Sequence, residues 1–129
     1  MSSNELDLTR VLCSLADLKA TGCRGFRVGP GEWPMKGFVV QVSDGVRAYV
    51  NRCPHVAYPL NYAPDMFLTF DDSMIQCYVH GAIFEKETGY CIAGPCAGLK
   101  LVPVPVRVAE GYVLLEDDAD PAELAKRYG

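Results

Sequence analysis

Between its two ends, the chain's apolar positions come in clusters. They fall in short runs of β-branched and aromatic residues separated by turn formers, the pattern of antiparallel strands. Strands are predicted at Arg24–Val28, Gly37–Val42, Val46–Asn51, Met74–Cys77, Ala82–Glu85, Tyr90–Ile92, Leu101–Val108 and Tyr112–Glu116. Asp44-Gly45, Thr88-Gly89 and Glu110-Gly111 stand between such runs, where glycine tolerates the positive φ of a tight hairpin. Pro103 and Pro105 remove two N–H donors from LVPVPVRV, so that strand should begin as an edge or an irregular stretch.

Helical signals are sparse. Ser14–Leu18 (SLADL) predicts one turn capped by Ser14 and ending before Thr21 and Gly22. Asp120-Pro121-Ala122-Glu123 combines a cap, a proline at the first helical position and a reciprocal acid, predicting a short helix to about Tyr128 that serves as a solvated tail. The fold class is therefore mostly β. The stretch from Pro54 to Phe70 has three prolines and neither period, and reads as a long ordered loop of the kind that tends to be functional.

The chain has 129 residues, of which 50% are hydrophobic and 22% charged, as expected of one domain with a core large enough to form without disulfide staples. Its six cysteines are then not needed for stability. Twelve basic against sixteen acidic residues give a net charge of −4, which offers no electrostatic case for a nucleic-acid partner. No run is apolar enough to span a membrane, and MSSNELDLTR lacks the layout of a signal peptide. The expected compartment is the cytoplasm, where thiols stay reduced and cysteines read first as metal ligands.

Histidine is the most restrictive residue type: only His55 and His80 occur. Cys53-Pro54-His55 forms C-x-H and Cys77-Tyr78-Val79-His80 forms C-x-x-H, with 21 residues between His55 and Cys77. Each segment offers one thiolate and one imidazole. Two such loops facing each other would surround one small object with two sulfurs and two nitrogens, a donor set that suits zinc or a two-iron cluster. Cys13 and Cys23 fall outside this pattern and read as packed core residues. Cys91 and Cys96 form C-x4-C, but the plant-type ferredoxin spacing would require a cysteine where Leu99 stands, and there is no C-x-x-C. Cys91 is expected to pack in a strand and Cys96 to lie in the Gly94-Pro95 loop, with a redox-sensitive thiol at Cys96 as the lesser reading.

These two pairs, and the run CYVHGAIFEKETGYCIAGPCAGLKLVPVPVRV around the second, resemble the Rieske family. Gly81 directly after the second histidine, Phe84 three further on, the Thr88-Gly89 hairpin and Gly94-Pro95 all follow that family's pattern, and the likeness extends over roughly residues 10 to 116. The resemblance implies a Rieske-like antiparallel β sandwich or barrel forming a single domain. A small cluster-binding subdomain would occupy about 52–98, a base domain about 8–51 and 99–116, and the tail helix about 120–128. It further implies a [2Fe-2S] cluster with Cys53 and Cys77 on one iron and His55 and His80 on the other. Tyr78, Gly81, Gly94, Pro95 and Cys96 would surround that cluster, and Pro54, Val56, Val79 and Pro95 would form an apolar docking rim.

High-potential members of the family place a hydrogen-bonding serine and tyrosine two and four positions after the second histidine, where Ala82 and Phe84 stand here. Their loop-tying disulfide positions hold Tyr58 and Val79. A potential at the low end of the Rieske range of about −150 to +300 mV is therefore expected. The 21-residue spacer is a few residues longer than is usual in oxygenase ferredoxins, with the addition placed at MFLTFDDSM and a hairpin tip at Asp71-Asp72-Ser73.

The resemblance implies a soluble one-electron carrier without substrate chemistry of its own. Its partners would be a flavin-dependent NAD(P)H reductase on one side and an oxygenase or another reductase on the other. A small subunit of an assimilatory, nitrite-type reductase is the second reading and a zinc-stabilised interaction module the third. A terminal oxygenase on this chain alone is excluded, because both histidines are taken by the cluster.

Overall fold

A computed structural model of the chain describes residues 10–30, 32–54, 59–61, 63, 65–78, 81–96 and 98–128. The longest ladder joins β2 (Cys23–Val28), β3 (Met35–Val42) and β4 (Gly45–Val50) in an antiparallel sheet with continuous registers from Cys23↔Val40 to Val28↔Met35 and from Gly37↔Val50 to Val42↔Gly45. Side chains on successive strand residues point to opposite faces, so β3 serves two cores at once. Phe38, Val40 and Val42 face one, with Cys23 and Tyr49 from its neighbours. Met35 and Val39 face the other, with Val28, Ala48 and Val50.

The second core is closed by β1 (Val11–Ser14), β9 (Tyr112–Leu115) and β8 (Val106–Ala109), paired in the order β1-β9-β8, and by two helices. The first core is closed by β5 (Ile75–Gln76), β6 (Ile83–Phe84) and β7 (Cys91–Ala93), also antiparallel and much shorter. Mostly β, antiparallel architecture is thus present as expected. Strand β1 escaped the sequence pattern, because four residues running straight into a helix carry too little alternation to be seen.

Several boundaries differ from expectation for identifiable reasons. Helix α1 (Leu15–Thr21) is capped at Ser14, whose Oγ accepts from Asp17 N at 3.0 Å, but it runs two turns and stops at Gly22, whose N–H reaches Leu18 O. The first hairpin turns at Ser43-Asp44 and takes Gly45 into the ladder opposite Val42, one residue earlier than Asp44-Gly45. Ala109↔Tyr112 leaves Glu110-Gly111 as the turn, as predicted. Between Leu101 and Pro105 there is no strand: Val50 N donates to Val102 O and Val104 N to Ala48 O, so this proline-broken segment lies along β4, and β8 begins only at Val106.

Helix α2 (Pro121–Tyr128) begins at the predicted proline, with Ala122 N donating to Asp120 Oδ1 at 3.0 Å. The reciprocal acid is used differently: Glu123 pairs with Arg127 one turn on, 3.5 Å away. Nor is the helix a solvated tail. Ala125 is buried, Leu124 and Tyr128 pack on the second core, and Arg52 Nη2 donates to Tyr128 O at 3.0 Å. Three apolar positions on one face of an eight-residue helix are enough to dock it. Among the described residues no helix is long and apolar enough to cross a membrane.

Candidate metal centre

Cys53 follows β4 and Cys77 follows β5, so each predicted sulfur ligand leaves the end of a strand on the side of the first core. Both side chains are buried, 1% and 0% exposed, among Leu60, Phe67, Ile75, Ala82 and Phe84. His55, Val56, Val79 and His80 lie outside the described residues. Among the described residues no group of three or more His, Cys, Asp or Glu side chains is gathered for a metal. The sulfur half of the predicted ligand set is therefore what the geometry addresses.

The segment before Cys53 is braced by Asn51, a side chain that no motif or periodicity singled out. Asn51 Oδ1 accepts from Leu60 N at 2.7 Å while its Nδ2 donates to Asn61 Oδ1 at 2.8 Å. These bonds tie the end of β4 to the far side of the Pro54–Phe70 loop, replacing ladder bonds that the irregular chain cannot make. Beside Asn51, Arg52 carries the tie to Tyr128 of α2 described above.

The loop after Cys77 closes on itself. Cys77 N donates to Ala82 O at 2.9 Å and Gly81 N donates back to Cys77 O at 2.8 Å, at a Gly81 φ of 75° that side chains rarely adopt. Tyr78 N donates to Leu60 O at 2.9 Å, and its hydroxyl donates to Leu68 O at 2.5 Å. Tyr78 thus clamps this loop to the first one and to the spacer. The spacer is itself a hairpin: Leu68 bridges Ile75, Gln76 N donates to Phe67 O, and the tip at Asp71-Asp72-Ser73 lies where expected. Asp71 Oδ1 there accepts from Thr69 Oγ1, Ser73 Oγ and Ser73 N at 2.7, 2.7 and 3.1 Å, which holds its carboxyl down from 3.8 to about 2.

A third loop approaches from β7. A Cβ on Gly94 would stand 2.8 Å from Ala82 Cα, so only glycine permits this approach to the Cys77 loop. Pro95 is exposed and Pro54 half-buried, while Cys96 is buried beside Cys91 and the Cys53 thiol. Burial first, and the neighbouring Cys91 and Cys53 thiols next, push the Cys96 thiol up to about 12. Cys13 is half-buried against the second core and its thiol is pushed up to about 11, mainly by burial. Cys23 lies in the first core, donates to Asp65 O at 3.1 Å and is likewise raised, mainly by burial. Neither sits with Cys53 and Cys77 in the loops just described.

Two buried thiols thus stand at strand ends beneath three converging loops, on an all-antiparallel scaffold. The Rieske [2Fe-2S] domain profile matches residues 9–106, and the chain belongs to that family. No curated protein matches the chain. Among solved structures, the Sphingomonas yanoikuyae B1 ferredoxin is 26% identical, with a TM-score of 0.60 over 83% of this chain and 96% of that one. A chain in the complex of reduced oxygenase and oxidized ferredoxin in carbazole 1,9a-dioxygenase is 24% identical, with a TM-score of 0.62 over 82% of this chain and 99% of its own. The terminal oxygenase of carbazole 1,9a-dioxygenase from Novosphingobium sp. KA1 shares the fold at 21% identity and a TM-score of 0.65 over 88% of this chain. The chain spans about a third of that oxygenase and of a second one like it, 31% and 32%.

A Rieske domain carries a two-iron, two-sulfide cluster, and the donor set fits one. Cys53 and Cys77 are buried, outside any disulfide and borne by separate loops, and thiolates are the sulfur donors such a cluster takes.

Proposed function

We propose that this chain is a one-electron carrier whose [2Fe-2S] cluster is held by Cys53 and Cys77 on the inner iron and by His55 and His80 on the outer one. When bound, the cluster supplies reversible uptake of a single electron at a potential raised by its two neutral ligands, since two imidazoles in place of two thiolates remove two negative charges. The protein's part is burial and rigidity. Leu60, Phe67 and Phe84 exclude water from the sulfur side, and the Asn51 and Tyr78 bonds fix the two loops so that little reorganises on reduction. Gly81, Gly94, Pro95 and Cys96 line the approach, and Pro54, Val56, Val79 and Pro95 form the rim against which a partner docks.

The observation that carries this reading is the pair of buried, unbridged thiols at Cys53 and Cys77, each followed in sequence by a histidine at Rieske spacing. The domain organisation of a cluster-binding part at about 52–98 on a base of about 8–51 and 99–116 belongs to the same proposal. An oxygenase on the acceptor side and a flavin-dependent NAD(P)H reductase on the donor side are the proposed partners, in the cytoplasm. The solved complex of oxygenase and ferredoxin in a related system supports the first of these.

The test is a visible and low-temperature EPR spectrum of protein purified without oxygen, before and after dithionite, with iron, sulfide and zinc assayed on the same sample. A red-brown protein with two irons and two sulfides and a Rieske-type reduced signal is expected, and His80→Ala or His55→Ala should abolish that signal. A colourless protein holding one zinc ion and no sulfide would replace the carrier with an interaction module. Redox titration should give a midpoint near the low end of about −150 to +300 mV, since Ala82 and Phe84 donate no side-chain hydrogen bond. A value above about +100 mV would overturn the ferredoxin assignment.

A further inference from the structure

Cys91 and Cys96 have no part in the ligand set, yet the fold brings their sulfurs together. Cys91 N donates to Leu99 O and Leu99 N donates to Cys96 O, both at 2.9 Å, so the chain leaving β7 folds back over it. The two Sγ atoms end 2.9 Å apart, both side chains buried and both cysteines free. Non-bonded sulfurs ordinarily stand farther apart, and a disulfide needs about 2.05 Å, so a movement of about 0.9 Å closes the bond. Gly94, in the loop between them, packs so closely on Ala82 that an added Cβ would stand 2.8 Å from the Ala82 Cα.

We propose that Cys91 and Cys96 are a dithiol that closes to a disulfide, a covalent modification site lying against Cys53 and clipping the Gly94-Pro95 loop to β7. This rests on the sulfur geometry and stands apart from the electron-transfer reading. Closure releases two electrons and two protons from the thiols. A low-molecular-weight disulfide such as oxidised glutathione accepts both as it is cleaved to two thiols, through a mixed disulfide that the second cysteine resolves. Under a reducing thiol pool the pair rests open. Because both sulfurs are buried, exchange is slow and the closed bond is shielded from attack.

The sequence makes the test direct. Cleavage after Lys and Arg yields a peptide, residues 87–100, that contains Cys91 and Cys96 and no other cysteine, and another, residues 53–86, that contains Cys53 and Cys77. Holoprotein is incubated with oxidised glutathione, quenched with N-ethylmaleimide in denaturant, cleaved and weighed. The 87–100 peptide should lose two hydrogens and take no maleimide, then take two after dithiothreitol. In Cys96→Ser the same peptide should carry maleimide or glutathione at Cys91. Wild-type 87–100 that takes two maleimides after oxidation, carries glutathione on each cysteine, or appears joined to 53–86 would overturn the proposal.

Discussion

The two cores of this molecule are built to different rules. The one shared by β1, β8, β9 and the helices is lined by Leu12, Leu18, Val39, Val50, Val113 and Leu115, branched aliphatics carried by strands of four to eight residues and by helix α1. The one under the candidate metal centre is lined by Phe38, Phe67, Phe84 and five cysteines, beneath strands of two or three residues. Phe38 stacks on Phe67 at 4.3 Å between ring centroids, so a few large rings take the place of many small contacts. Strands that short give little cooperative hydrogen bonding. The second region therefore depends on something beyond its backbone, and two thiolates bound to one iron would supply a cross-link between its loops.

The largest effect should come from removing that cross-link. Stripping iron from the purified protein should remove hydrogen-exchange protection from the amides of Ile75, Gln76, Ile83, Phe84 and Cys91–Ala93, while the β2-β3-β4 amides remain protected. Simultaneous loss in both regions would mean that the molecule is one cooperative unit and that the contrast between the cores is only compositional. Cys77→Ala should produce the same pattern with the metal never bound.

A second comparison lies inside the metal-binding region. Gly81 and Gly94 both adopt positive φ, 75° and 98°, but a Cβ at Gly81 meets nothing within 4 Å among the described residues whereas at Gly94 it strikes the Ala82 backbone at 2.8 Å. Gly81→Ala should therefore cost about 1–2 kcal/mol, the penalty of left-handed backbone alone. Gly94→Ala must add displacement of the Cys77–Ala82 loop to that penalty, so its cost should be clearly larger and accompanied by a changed cluster spectrum. Urea unfolding followed by absorbance and far-UV circular dichroism separates the two, and equal costs would show that the close approach to Ala82 is not maintained in solution.

Smaller still is the capping of α1 at the edge of the aliphatic core. Ser14→Ala removes the oxygen that accepts from Asp17 N and should cost about 1 kcal/mol without touching the visible spectrum. A spectral change with this variant would show that the two regions communicate.

How much of this was legible in the sequence follows the same division. Runs of β-branched and aromatic residues between turn formers placed β2, β3, β4 and β9 to within two residues, and β3 is the most continuously apolar because both its faces are buried. The same rule overextended β5 and β6, where Met74, Cys77, Ala82 and Glu85 continue the pattern after the ladder has ended. Spacing alone singled out Cys53 and Cys77 and the loops that carry them. It could not show Asn51 or the Tyr78 bond to Leu68, since these join residues about ten apart through an irregular loop that has no period to read. Nor could it show that α2 is docked, because that depends on Arg52 finding Tyr128 O across 76 positions.

The smallest effect belongs to the spacer's tip, the part of the metal-binding region farthest from a regular ladder. Asp71 is fully exposed, so its carboxyl is held near 2 only by the three hydrogen bonds from Thr69 and Ser73. A carboxyl whose folded pKa lies below its unfolded value stabilises the fold above the unfolded value and loses that contribution as pH falls through the folded one. The window here runs from about 4 down to about 2. A carboxyl-carbon NMR titration of the protein should find Asp71 titrating near the lower bound, and Ser73→Ala together with Thr69→Val should return it toward 3.8. If Asp71 titrates near 3.8 in the wild type, the tip is not held in the hairpin described, and the longer spacer is an open loop there instead of an ordered extension of β5.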